Sequence, residues 1–441
     1  MEQHMTTTAM PYDATSLRVE PATGRVAKQR YIDREFADLE NKRLWRHVWQ
    51  WACLLEDVTE IGDFYEYQYA DQSILILRGD DGTLRAFHNV CPHRGNRLRA
   101  GTGTLQDELA CNYHRWTWDL RGQLTKVPER EGFPAFDDAC FALRPVQVDT
   151  WGQFVFINPD PDAEPLYEYL APLPERVAAY HWEEHTRTSS VTLPMAANWK
   201  TMVDGFLDVY HLQGVHPQLL EYTDDVNTTY EQLGKHSAMY MPMGVPSPKA
   251  RDTSEQGIIN ELSKPRSGIM GKMLRESTAF EVVDGVPTLH GGVTVREALI
   301  QAGRSSATKL GRDYSGLSDE QLIDDHHYFF FPNVIVNAFA GHIVLARIRP
   351  DTSDPERCFF DLFVMNWLTD EERRTREVSP HEVVEENTKV GRVPDQDFTA
   401  LPKVQLGLHS DGLTEIFLST HGQEVRVADF HAVLDSYLYD D

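Results

Sequence analysis

Cys91-Pro92-His93 and Cys111-Asn112-Tyr113-His114 each offer one thiolate and one imidazole, with seventeen residues between His93 and Cys111. Zinc sites usually pair like with like, C-x-x-C with a separate histidine pair, whereas each of these loops mixes one Cys with one His. One loop cannot hand both thiolates to the same iron, but two loops closing from opposite sides can. The pattern therefore suits a [2Fe–2S] cluster of the Rieske type, in which two histidines replace two cysteines on one iron. Cys91 and Cys111 would hold the inner iron, and His93 and His114 the outer one. Imidazole ligands leave that iron less negatively charged, which raises its potential, and place it nearer solvent. A chain carrying such a clasp handles electrons one at a time.

A stored electron needs an acceptor, and one other stretch offers it: Asn198-Trp199-Lys200 followed by Asp208, His211, His216 and Pro217. Asp208 and His211 are three apart, which predicts one helix face. His216 lies five beyond His211, off that face. Gly214 and Pro217 predict that the helix bends or ends there, letting His216 swing back toward a metal. Two imidazoles and a carboxylate on one face of an iron leave three positions open, as in non-haem Fe(II) oxygenases. Spacing alone leaves the carboxylate open, with Asp208 as one candidate.

The elements that must position these residues are α+β in class. Residues 17–50 read as helical, with Asp33 capping the segment that holds Phe36, Leu39, Leu44 and Val48. From Trp51 to about Pro159 the pattern is short strands and turns. Ser73–Leu77 is a strand, Gly79-Asp80-Asp81-Gly82 a hairpin signal, and Leu84–His88 the returning strand. A turn at Arg121-Gly122-Gln123 and a strand at Phe154–Ile157 complete a small all-β module, 51–160, with the clasp at its loop tips. The Pro/Asp/Glu-rich stretch Pro159–Pro165 marks a boundary.

Residues 161–441 mix strands and helices. Segment 245–318, rich in Pro, Gly, Ser and charge, reads as a long, partly mobile excursion with some helix. The apolar run Phe329–Ala346 is interrupted by Pro332, Asn333, Asn337 and His342, so it reads as two adjacent strands rather than a membrane span. Tyr328–Asn333 is a candidate pocket wall, with core packing the plain alternative. Asp429 is read as capping a final helix whose stripe is Phe430, Val433, Leu434, Tyr437 and Leu438.

The net charge of −26 on 441 residues excludes a basic nucleic-acid footprint. It serves solubility and could steer docking of an electron-transfer partner. Hydrophobic residues at 41% and charged residues at 25% indicate a soluble globular chain. Met1–Ser16 has no apolar run of signal-peptide length. Of five cysteines, Cys53, Cys140 and Cys358 are scattered and read as small buried hydrophobes, which suits a reducing, cytoplasmic setting.

Over nearly its whole length the chain resembles the catalytic α subunits of Rieske non-haem iron aromatic-ring-hydroxylating oxygenases. The resemblance rests on C-x-H with C-x₂-H, the Asn198-Trp199-Lys200 start, D-x₂-H-x₄-H from Asp208 to His216, and Asp397 placed eight before the Gln405-Leu406-Gly407 signature. It implies a Rieske domain (51–160) joined to a larger helix-grip-like catalytic domain (161–441: an antiparallel sheet with flanking helices), with residues 1–50 packed on the latter. It implies His211, His216 and Asp397 as ligands of a mononuclear Fe²⁺, with Asp395 the neighbouring rival. Asp208 then becomes a bridge from His114 of one subunit to His211 of the next, which requires a head-to-tail homotrimer. The acid-Asn pair common before the iron helix reads Asp204-Gly205 here. The excursion could form a lid or extend the trimer contact.

The function implied is a terminal oxygenase fed by an NAD(P)H-dependent reductase, directly or through a ferredoxin. It would use O₂ for cis-dihydroxylation or monooxygenation, including demethylation, of a small organic substrate. An aromatic or polycyclic substrate is the expectation, as in aromatic hydrocarbon catabolism, with a quaternary amine or steroid as alternatives. A partner β subunit stays open. The alternative from another class is a Rieske electron carrier or sensor with no oxygenase activity.

Overall fold

The computed structural model describes residues 17–265, 267–376 and 381–440. The first sixteen residues of the expected N-terminal segment lie outside them. Within 17–50 the helices are shorter than expected, Gln29–Ile32 and Arg34–Arg43, and Arg25–Ala27 is a strand paired with Glu415–Phe417. Asp33 sits at the N-cap position, but its side chain makes no capping bond. This segment packs on elements beyond residue 161: Trp45 meets Trp199 edge-on at 5.1 Å, and Arg30 pairs with Asp435 at 2.6 Å.

Seven antiparallel strands form the first sheet, in the order Gln50–Leu54, Phe154–Asn158, Pro145–Trp151, Leu84–His88, Gln72–Arg78, Asp63–Tyr69 and Thr102–Thr104. A three-stranded sheet, Glu108–Ala110, Thr117–Asp119 and Leu124–Lys126, carries the second clasp loop. Gly82 adopts φ +75° in the hairpin between Arg78 and Leu84, a conformation that favours glycine.

The second sheet has eight strands, in the order Thr229–Leu233, His236–Met241, Asp325–Phe330, Val334–Phe339, His342–Pro350, Cys358–Trp367, His185–Met195 and Glu382–Val383. Only the last pair is parallel. Alternation on Asp325–Phe330 turns Asp325, His327 and Phe329 toward the C-terminal helix Val425–Tyr439, where Phe329 meets Phe430 at 5.5 Å. Phe330 points the other way, against Trp182 and Trp151. Phe329, Phe330 and Phe331 are therefore core on both sides of the sheet, while Tyr328 lines a groove of about 460 Å³ with Tyr240 and His326.

The C-terminal helix begins at Val425, four residues before the expected cap Asp429. Its buried stripe extends back through Arg426 and Val427, and an arginine at a core position hides the stripe from sequence reading. The 245–318 excursion holds three helices, Glu255–Leu262, Gly268–Glu276 and Val295–Leu310, and a hairpin, more regular structure than its composition suggested. Thr294 and Glu297 form a reciprocal capping box at the start of the longest.

The two sheets are joined by a buried charge cluster. Arg347 donates to the carbonyls of Trp51 and Ala52, and its guanidinium lies over the Trp51 ring at 5.1 Å. Asp361 accepts from Arg347 at 2.8 Å and from Arg349 at 2.7 Å. Among the described residues, no helix is long and apolar enough to cross a membrane. Cys53 and Cys358 are buried as expected, whereas Cys140 is exposed.

Candidate metal centres

Both clasp loops present their sulfur inward. Cys91 and Cys111 are buried, and Cys111 Sγ accepts from Asn96 Nδ2 at 3.5 Å and from the Tyr113 backbone N–H at 3.4 Å. Burial would raise the Cys111 thiol, but the backbone N–H groups of Tyr113 and His114, with Cys91 and Asn96, outweigh it and hold the thiol below its ordinary range, while burial raises that of Cys91. Donors aimed at sulfur suit a thiolate. The His93 and His114 rings lie 4.7 Å apart, and His93 stacks on Trp116 at 4.9 Å with only 6° between planes. Phe133 meets the edge of that pair at 5.7 Å. His93 Nδ1 is buried with no hydrogen-bond partner, as a nitrogen reserved for a metal would be. These four residues fit a cluster held between two loops.

The second constellation is built differently from the sequence expectation. The helix Trp199–Leu207 ends before Asp208, which is extended (φ −122°, ψ 166°), and His211 stands at the start of a separate short helix, Leu212–Val215. Asp208 and His211 thus share no helix face. They meet because Asp208 Oδ1 accepts from the His211 backbone N–H at 3.0 Å and contacts its Nδ1 at 3.1 Å. Burial opposes a charged His211 ring, but the Asp208 and Asp397 carboxylates outweigh it and raise its pKa.

His216 follows the short helix, 1% exposed, and Asp397 comes from the long helix Arg392–Gly407. One ligand atom from each of His211, His216 and Asp397 lies within 4.8 Å of the others, the one such group among the described residues. His216 Nε2 is 2.7 Å and His211 Nε2 3.8 Å from the same oxygen, Asp397 Oδ1. Both Nδ1 atoms face away from this point, toward Asp208 and toward Gln396 Oε1 at 3.0 Å. Two Nε2 atoms and a carboxylate turned to one centre, each imidazole fixed from behind by an acceptor, is a donor set that can hold Fe²⁺. Asp395 does not join it: its Oδ1 accepts the Val390 N–H at 2.9 Å.

Two signatures become one contact. Asp397 and Gln405, eight apart on one helix, lie about two turns apart on roughly the same face. Gln405 Oε1 accepts from the Asn198 backbone N–H at 3.0 Å and Thr201 Oγ1 at 2.8 Å, which pins the Asp397 helix to the start of the helix leading to Asp208. Gly205 permits the approach, since a Cβ there would stand 2.5 Å from Leu401 Cδ2. Asp204 accepts from Tyr31 Oη at 2.7 Å. Gln396 is a functional neighbour that sequence reading missed; its only signal was adjacency to Asp397.

Residues 48–137 match the family model of the Rieske [2Fe-2S] domain, and residues 182–440 match that of the ring hydroxylating alpha subunit (catalytic domain). The glycine betaine monooxygenase oxygenase subunit of Chromohalobacter salexigens is 32% identical over 225 residues, 49% of this chain and 50% of that protein. The carnitine monooxygenase oxygenase subunit of Escherichia coli K12 is 33% identical over 189 residues, 42% and 50% of the two chains. The chain thus spans about half the length of the curated relatives it matches. A solved quaternary ammonium Rieske monooxygenase, CntA, has a TM-score of 0.67 at 18% identity, covering 95% of this chain and 99% of that one. Naphthalene 1,2-dioxygenase with indole bound has a TM-score of 0.67 at 15% identity, covering 97% and 94%. Both share the fold. With its catalytic half matched from 182 to 440, this chain belongs to the ring-hydroxylating alpha-subunit family, joining a Rieske [2Fe-2S] domain to a mononuclear-iron catalytic domain.

Proposed function

We propose that this chain is the terminal oxygenase of a multicomponent system and that it hydroxylates a small quaternary ammonium compound. The convergence of His211, His216 and Asp397 on one point, in a chain that also carries a cluster clasp, supports the chemistry. When bound, the cluster supplies single electrons and the iron supplies open positions for O₂. In this reading Cys91, His93, Cys111 and His114 hold the [2Fe–2S] cluster of domain 51–160, and His211, His216 and Asp397 hold Fe²⁺ in domain 161–441. Asp208 and Gln396 keep the histidine protons on Nδ1, so both Nε2 atoms stay free for the metal.

The relatives support this substrate class. Sequence reasoning favoured an aromatic or polycyclic compound, partly on the run Tyr328–Phe331, whose three phenylalanines are core. The relatives are named for glycine betaine and carnitine, so the quaternary-amine alternative replaces it.

The assembly in this reading is a head-to-tail homotrimer. Within the chain the ring neighbours of His114 are His93 and Tyr113. The cluster tip exposes Tyr113 and Val90. Two residues after Asp208, exposed Tyr210 lines, with Val226 and Phe417, a groove of about 960 Å³, a fitting seat for a neighbouring chain's tip. Electrons would come from an NAD(P)H-dependent reductase, directly or through a ferredoxin, in the cytoplasm. Oxygen uptake with reductase and NADH tests the reading. Uptake with glycine betaine, carnitine or choline is expected. Uptake with naphthalene or aromatic acids alone would overturn the substrate class.

A further inference from the structure

Arg426 is 1% exposed on the inner side of the C-terminal helix. Its Nε donates to Ser237 Oγ at 3.0 Å, Nη2 reaches Ser237 O at 3.5 Å, and Nη1 meets His327 Nδ1 at 3.2 Å. Among the described residues no carboxylate comes within ion-pairing distance of it. The other deeply buried arginines differ: Arg30 sits 2.6 Å from Asp435, and Arg347 2.8 Å from Asp361. A buried cation without a counter-charge is strongly disfavoured, and burial pulls Arg426 down to about 9. It still carries its charge at neutral pH.

Two further buried donors neighbour it. His327 Nδ1 faces a donor, so the ring proton belongs on Nε2, and that atom is buried without a partner. Tyr230 Oη is also buried without one. The register sets these groups on one face, since Tyr230 pairs with Met239 and Met239 with His327. Met239 packs with Val209 and Leu212, which flank His211. Asp208 lies within electrostatic reach of Arg426 and Tyr230. Asp325 shares the face and offsets part of the charge, but both its oxygens are taken by Asn337 Nδ2, at 3.0 and 2.9 Å.

We propose that Arg426, with His327 and Tyr230, forms the anion-binding end of the substrate site and holds the carboxylate of a zwitterionic quaternary ammonium substrate. The N-methyl end is then left toward His211, His216 and Asp397. This rests on the quaternary-amine reading above and narrows it to the betaine type, against the choline type that carries no carboxylate.

The test is anaerobic calorimetry of the holoenzyme with three ligands: glycine betaine, its methyl ester and choline. All carry the trimethylammonium group, and only the first carries an anion. The unmutated protein is expected to bind betaine roughly 30-fold or more tighter than the ester. Arg426→Gln should bring the two within about 3-fold with the ester unchanged, and Arg426→Lys should keep part of the preference. Equal binding of betaine and ester by the unmutated protein, or a preference that survives Arg426→Gln, overturns the proposal while the quaternary-amine reading stands. Binding of none of the three overturns both. The acid–ester comparison needs no substitution, so a variant that fails to fold does not blunt it.

Discussion

Asp208 Oδ1 accepts from both the backbone N–H and the ring Nδ1 of His211, at 3.0 and 3.1 Å. One oxygen thereby fixes the ring's position and its tautomer, and leaves Nε2 turned to Asp397. Among the described residues no donor reaches Oδ2, so the carboxylate keeps an acceptor for a second imidazole. Asp208→Asn should retain cluster and iron but slow turnover by roughly 10–100-fold or more. In rapid mixing, the reduced cluster should fail to reoxidise at the normal rate with substrate and O₂. Normal reoxidation would refute the bridging role.

The Asp397 assignment separates cleanly from its rival. His216→Ala and Asp397→Asn should each lower metal content from about three irons per subunit to about two. Asp395→Asn should leave it at three, because that carboxylate serves the Val390 N–H. Loss of iron from the Asp395 variant would reverse the assignment.

Gly205→Val should drive a branched side chain into Leu401, whose Cδ2 already lies 2.5 Å from the position of a first Cβ. Overpacking of this kind costs roughly 1–3 kcal/mol, and here it pushes on the helix that carries Asp397. Thermal melting and iron content should fall together. Adding Leu401→Ala should recover part of both.

Asp361 tests the joint between the two sheets. Burial pushes its carboxyl up, but Arg349 and Arg347 outweigh that and hold it well below the usual carboxylate range. A depressed native pKa gives stability that is present above the unfolded-state value, near about 4, and lost as pH falls through the native one. Asp361→Asn should therefore cost roughly 3–5 kcal/mol at neutral pH. The gap from the parent protein in denaturant melts should narrow only in strong acid.

What could be read from sequence was local. Cys91, His93, Cys111 and His114 carry their chemistry within two short loops, and His211 and His216 lie five residues apart. Asp397 is 181 positions from His216; only the family signature reached it, and the Asn198–Gln405 bond shows what that signature holds together. The break at Asp208 was hidden because nothing in Leu207-Asp208-Val209 forbids a helix. It is a local choice instead: the Asp208 carboxylate takes the His211 backbone N–H three residues on. Arg426 and His327 escaped notice because each looks like an ordinary surface polar residue until helix and sheet close on them. The aromatic run at Tyr328 misled for the converse reason, since apolar residues at alternate positions fill a core as well as they line a pocket.

In the proposed assembly, electrons stored in one chain are used at the iron site of its neighbour. Mixed oligomers of Cys91→Ala chains, which lack the cluster, and His216→Ala chains, which lack the mononuclear iron, test it most directly. Neither homo-oligomer should turn over. In the mixed assembly an intact cluster tip faces an intact iron site across a subunit boundary, so substrate-dependent oxygen uptake should return. Mixed oligomers of confirmed composition that stay inactive would contradict transfer between chains.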